Sequence, residues 1–127
     1  MDNNANAINW FEISVGDIAR ATKFYEAVFE TTLIPMEMMG LKMAMFPIAN
    51  MSGKVGGSLV ESPMHKPSMD GAKVYMNGNP DLATALGKVE AAGGKVTMPK
   101  TIISEDSGYM AFFIDSEGNS VGLHSTK

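Results

Sequence analysis

Residues 8–30 read INWFEISVGDIARATKFYEAVFE, and the change of period inside this stretch decides the fold. Between residues 7 and 15 the side chains alternate. Ile8, Trp10, Glu12 and Ser14 share one face, and Phe11, Ile13 and Val15 share the other. Period two is the signature of a strand. Asp17 then stands where a helix N-cap belongs, because its side chain can accept from backbone N–H groups that lack partners. Beyond it the spacing becomes helical. Ile18, Ala21, Tyr25 and Val28 form a stripe that Phe24 and Phe29 widen. One residue sits oddly: Glu12, a carboxylate in mid-strand between Phe11 and Ile13.

Working outward, TTLIPMEMM and LKMAMFPI read as strands joined near Gly40, and GGSLVES reads as a fourth. Pro35 suits an edge strand, since it cannot donate to a ladder. Residues 62–71, SPMHKPSMDG, hold two prolines and a glycine and read as a linker. The pattern then repeats. AKVYMNG is a strand. NPDLATALGKVEAAGG is a helix with Pro80 and Asp81 at its start, a stripe of Leu82, Ala85, Leu86 and Val89, and Gly93-Gly94 as its stop. KVTM is a short strand, GYMAFFID a longer one, SEGN a tight turn and SVGLHS the last strand. Both halves are β-α-β-β-β: module one spans 7–61 and module two 72–125. Asp17 and Asp81 lie 64 positions apart, as do Leu59 and Leu123, which marks an internal duplication. Modules of about 55 residues bury little core alone, so they are expected to combine, within one 127-residue domain or with a partner chain.

Composition narrows the function classes. Hydrophobic residues make up 45% and charged residues 19%, which fits a globular chain and excludes a disordered one. A net charge of −4 leaves no excess of Lys and Arg to neutralise phosphates, so nucleic acid is not an expected partner. With no cysteine there are no disulfides, thiolate nucleophiles or Cys-based zinc sites. The opening MDNNANA lacks the pattern of a signal peptide, and no apolar run approaches the roughly 20 residues that span a bilayer. A cytoplasmic protein without a membrane partner is expected. Twelve methionines imply an adaptable core or pocket.

The paired modules resemble the vicinal oxygen chelate superfamily, which includes glyoxalase I, bleomycin-resistance proteins and extradiol dioxygenases. INWFEISVGDIARATKFYEAVFE resembles its opening strand and helix, KVEAAGGKV its second helix and exit, and FFIDSEGNSVGLHS its closing hairpin. The resemblance covers nearly the whole chain. It implies an α+β fold, with a cupped mixed sheet, helices outside and a ligand cavity inside. It places Phe11, Ile13 and Val15 against a helix and turns Trp10, Glu12 and Ser14 into the cup. In module two it turns Lys73, Tyr75 and Asn77 inward, with Val74 and Met76 behind. On the last strand it turns Gly122 and His124 inward. Metal-dependent members hold their metal at four positions, which here read Trp10, Ser58, Lys73 (or Val74) and Gly122. These are not divalent-metal donors. Neither a metal nor another cofactor is therefore expected.

The resemblance thus suggests why Glu12 is there: its face lines a cavity. A partly desolvated carboxylate suits a general base or a hydrogen-bond acceptor. The plainer reading pairs it with Lys73 or another cation, or leaves it at the cup's mouth. His124 is a second candidate for proton transfer, or a solvated C-terminal histidine. Trp10 offers a stacking surface or a plug, Ser58, Tyr75 and Asn77 polar groups, and Lys73 an anchor for a carboxylate or phosphate. His65, in the linker, is set aside. No phosphate loop, Ser-His-Asp array or H-E-x-x-H motif occurs, and DSEGN fits a hairpin better than a calcium loop. The leading expectation is a homodimeric, metal-independent binder of a small organic molecule. The alternative is a lyase or isomerase with Glu12 as base, helped by Tyr75, Lys73 or His124. A third possibility is an accessory protein whose cup is filled by its own methionines.

Overall fold

Alternation along residues 10–15 builds the first strand, β1 (Trp10–Ser14), and Asp17 starts the first helix. A computed structural model of the chain describes residues 2–48 and 53–127. Asp17 has extended backbone and accepts from the Arg20 N–H at 3.1 Å, so α1 (Ile18–Phe29) begins where the sequence places it. The helix buries Ala21, Phe24, Tyr25 and Val28. β2 (Ile34–Met38), β3 (Leu41–Met45) and β4 (Gly56–Glu61) complete the module in the order β1-β4-β3-β2. β1 runs parallel to β4 and the other pairs are antiparallel. β2 is an outer strand, which is where its proline is tolerated.

The second module repeats this connectivity. β5 (Tyr75–Asn77), α2 (Ala83–Leu86), β6 (Lys95–Ser104), β7 (Gly108–Ile114) and β8 (Ser120–Ser125) follow in chain order. The sheet order is β5-β8-β7-β6, and β5 is parallel to β8. The fold is therefore α+β with two β-α-β-β-β modules, as expected.

Two elements differ from the sequence reading. The helix expected over residues 79–94 is regular only from Ala83 to Leu86. Gly87 follows at once, and tighter i→i+3 bonds take over, such as Lys88 N–H to the Ala85 carbonyl at 3.0 Å. The inward side chains survive this change: Leu82, Ala85 and Val89 are all buried. Asp81 lies one residue before the cap, but still accepts from the Ala83 N–H at 2.9 Å and pairs with Lys100 at 2.9 Å. The strand read as KVTM extends ten residues, to Ser104. It crosses Pro99 because it is an outer strand with register shifts between Val96 and Thr101.

The two modules share one apolar core. Ile13, Phe24, Tyr25 and Leu59 join Leu82, Val89, Phe113 and Leu123 in a single cluster, and the Phe24 and Phe113 rings lie 5.9 Å apart. Polar contacts add a clamp. The β7–β8 turn, Asp115 to Asn119, reaches across to α1. Glu117 accepts from the Gly16 and Asp17 N–H groups at 3.0 Å each, and takes two bonds of 2.7 Å from Arg20. Buried Asp115 accepts from the Tyr25 hydroxyl at 2.7 Å, and Asn119 donates to the Ser14 carbonyl at 2.8 Å. Burial first, then the Asp115 charge, pushes the Tyr25 phenol well above its ordinary value, so it remains a donor. Among the described residues no helix is long and apolar enough to cross a membrane.

Burial alone would raise the Glu117 pKa, but hydrogen bonds from Arg20, Ser116 and the Asp17 backbone outweigh it and hold the carboxyl below its usual 4.5. A depressed folded-state pKa gives stability that is complete above 4.5 and fades as pH falls through the depressed value. Glu117→Gln is expected to cost about 1–3 kcal/mol at neutral pH in urea unfolding. The gap from wild type should narrow once the pH drops below the ordinary glutamate range. A gap that does not change with pH would contradict the clamp's charge-assisted character.

Candidate functional site

Each sheet has two working faces. The Phe11 and Ile13 face of β1 meets α1, while Trp10, Glu12 and Ser14 lie on the opposite face. Where the modules meet, two cavities open. The larger holds about 780 Å³ and is built from Phe11, Phe29, Phe46 and Ile48 of module one with Val74 and Met76 of module two. Lys54, Lys73, Tyr75 and Asn77 bring its polar groups. The smaller holds about 180 Å³ and is lined by Glu12, Ser14, Lys66, Ser68, Asn119 and Ser120 among others. Val74 borders both.

Glycines let aromatic rings form these walls. Phe11 lies so closely over Gly57, its partner across the β1–β4 ladder, that any Cβ there would overlap the ring. Tyr75 lies the same way on Gly122, where a Cβ would fall 2.7 Å from the ring. Tyr75 also meets the Phe112 ring edge to face, with centroids 5.3 Å apart.

The structure separates the residues that the sequence grouped. Lys73, Tyr75 and Asn77 do share one cavity, the larger one. Lys73 is not in a strand, and its ammonium donates to the Met69 carbonyl at 2.5 Å. Glu12 lines the smaller chamber instead. Trp10, Ser58 and His124 line none of the four cavities that include these two. Trp10 is half-buried, with its ring over Gly56. Ser58 is fully buried beside Glu12 across the ladder, and its hydroxyl has no partner among the described residues. His124 sends Nε2 to the Ser107 carbonyl at 2.6 Å. A carbonyl only accepts, so Nε2 carries a proton there and cannot serve as a base.

Four contributors escaped the sequence reading. Phe11 was assigned only to the helix side, yet it also walls the larger cavity. Phe46 and Lys54 both lie in the connection between β3 and β4, with no motif to mark them. His65 is the fourth. Its Nε2 lies 3.0 Å from Glu12 Oε1, and its Nδ1 lies 2.8 Å from the Ser62 hydroxyl. Glu12 therefore pairs with His65 and not with Lys73. The linker is a strap laid over β1, held further on by Ser68 N–H to the Asn119 side chain at 2.9 Å.

The four metal positions do not fit a metal. An indole, a hydroxyl, an ammonium and a glycine offer no borderline-cation donor set. Among the described residues no three His, Asp or Glu side chains stand together as a metal site.

Comparisons agree with this architecture. A family model described as bleomycin resistance protein-like N-terminal matches residues 8–49. No curated protein matches the sequence significantly. A hypothetical protein from S. aureus superposes with a TM-score of 0.65 at 21% identity, covering 96% of this chain and 95% of that one. A glyoxalase/bleomycin resistance protein from Albidiferax ferrireducens gives 0.66 at 15% identity over 94% and 98%. A glyoxalase I mutant from Zea mays gives 0.69 at 20% identity over 93% of this chain but 46% of its own, so this chain spans about half of that enzyme. The fold is that of glyoxalase/bleomycin-resistance proteins, consistent with the vicinal oxygen chelate superfamily.

Ser58 gives a direct check on the face that carries Glu12. A buried hydroxyl without a partner costs free energy, so Ser58→Ala is expected to be neutral or to stabilise by up to about 1 kcal/mol in urea unfolding. A loss of more than about 1 kcal/mol would mean the hydroxyl is partnered in solution.

Proposed function

We propose that this chain, which has the fold of the glyoxalase/bleomycin-resistance proteins, binds a small organic anion with an apolar body, without a metal, in the larger cavity between its modules. One observation carries the reading. In a protein of net charge −4, the described lining of that cavity includes two lysines, Lys54 and Lys73, and no carboxylate, among aromatic and aliphatic side chains. Apolar walls supply affinity, while a few polar groups set orientation. Lys54 and Lys73 would take the anionic group, and Tyr75 and Asn77 a hydroxyl or carbonyl. A cytoplasmic homodimer is part of the same proposal. Exposed Ile34, Met38, Ile102 and Ile103 support self-association.

The enzyme alternative, a metal-independent lyase or isomerase with Glu12 as general base, draws on the His65 contact that orients the carboxylate. Its helpers lie apart, however. Lys73 and Tyr75 border the other cavity, and His124 is engaged with Ser107. The binding reading asks for no such assembly. A cup filled by methionines has support only on the sheet face that carries Glu12, where Met43 and Val60 are buried outside the main core.

Anilinonaphthalene sulfonate, an apolar anion, tests the binding reading by fluorescence titration of the folded protein. Saturable binding is expected, unchanged by EDTA, zinc, nickel or manganese. The double substitution Lys54→Ala, Lys73→Ala should weaken it about tenfold or more, a loss of roughly 1.4 kcal/mol or greater. Undiminished binding by that variant, or a strict need for metal, would overturn the reading.

A further inference from the structure

The smaller chamber has a different chemistry from the larger cavity. Its volume of about 180 Å³ is the share of roughly six waters, room for a molecule of about six to nine non-hydrogen atoms. Its described lining holds one carboxylate, Glu12, and one ammonium, Lys66. These two do not pair with each other. Glu12 gives Oε1 to His65, which fixes the carboxylate and leaves Oε2 without a partner among the described residues. Lys66 makes no ion pair among the described residues. Ser14, Ser68, Asn119 and Ser120 bring short polar groups to the lining, and Ile13, Ala72, Val74 and Val121 bring apolar ones. Beside Glu12, the unpartnered Ser58 hydroxyl shows that this side of the sheet already carries one unsatisfied buried polar group.

We propose that the chamber under the strap is a second ligand site, which takes a small zwitterion of α-amino acid size. The ammonium of the ligand meets Glu12 and its carboxylate meets Lys66. Two opposite charges lining one half-open space are matched by a ligand that carries both. A simple anion would place a like charge beside Glu12, and a simple cation would place one beside Lys66, so each is disfavoured against a ligand that carries both charges. The strap makes the site. His65 on β1 and Ser68 on the Asn119 side chain hold the segment that carries Lys66. The proposal is independent of the larger cavity and its anion.

Equilibrium dialysis of the full chain with labelled L-alanine at neutral pH tests this, with propionate and ethylamine as competitors that each keep one of its charges. One saturable site is expected, with both competitors at least tenfold weaker than L-serine, which keeps both charges. Glu12→Gln and Lys66→Met should each weaken L-alanine binding tenfold or more. Lys66 is exposed, so its variant is expected to keep the wild-type melting temperature even if Glu12→Gln does not. The Lys54→Ala, Lys73→Ala protein should bind L-alanine as wild type does, which separates this site from the larger cavity. Absence of saturable L-alanine binding, competition by propionate equal to L-serine, or full binding by Lys66→Met would each overturn the proposal.

Discussion

The first turn of α1 leaves backbone N–H groups that no helical carbonyl can reach, and the architecture depends on how they are answered. Three carboxylates from different parts of the chain supply the acceptors. Asp17 caps locally, Glu61 accepts from the Ile18 N–H at 2.8 Å, and Glu117 takes Gly16 and Asp17. Glu61 ends β4 and Glu117 belongs to the β7–β8 turn. One helix terminus therefore ties the first module's last strand to the second module's closing hairpin. The positive end of the helix dipole favours the same arrangement. Below it, Tyr25 and Asp115 repeat the connection inside the core.

This junction fixes β1 against module two, and that position makes the cavities. With β1 held by Asn119 through the Ser14 carbonyl, its Phe11 side faces Val74 and Met76, and its Glu12 side faces Ser120 and the strap. One strand thus gives an apolar wall to the larger cavity and a charged wall to the smaller chamber, because alternate side chains point opposite ways. Glycine at positions 57 and 122 lets Phe11 and Tyr75 lie flat on neighbouring strands.

The strands and α1 were legible because each follows from a local pattern: alternation, an apolar stripe, a cap, a proline that marks an outer strand. The duplication pointed to two modules that combine, with pairing inside the chain or across chains left open. Elements whose extent depends on tertiary packing were less legible. The turn after Gly87 keeps Val89 buried without continuing the helix, and β6 runs past Pro99 because β7 offers a long partner. At the site, Lys73, Tyr75 and Asn77 were readable as neighbours on one stretch of chain. His65 was not, since its role exists only once the strap crosses β1 and brings its ring to a residue 53 positions away. Glu12 shows both sides of this. Its unusual place in a strand raised the question and the resemblance implied a lined space, but the identity of its partner needed the fold.

We propose that the space between the modules, and not the four positions at which metal-dependent proteins of this fold hold a metal, receives the ligand. A crystal structure of the protein grown with a saturating apolar carboxylate and supplied with zinc tests it most directly. The ligand is expected beside Phe11, Val74 and Tyr75, with its carboxylate toward Lys54 and Lys73, and no cation at Trp10, Ser58 or Gly122. A ligand held through a zinc ion at those positions would contradict this.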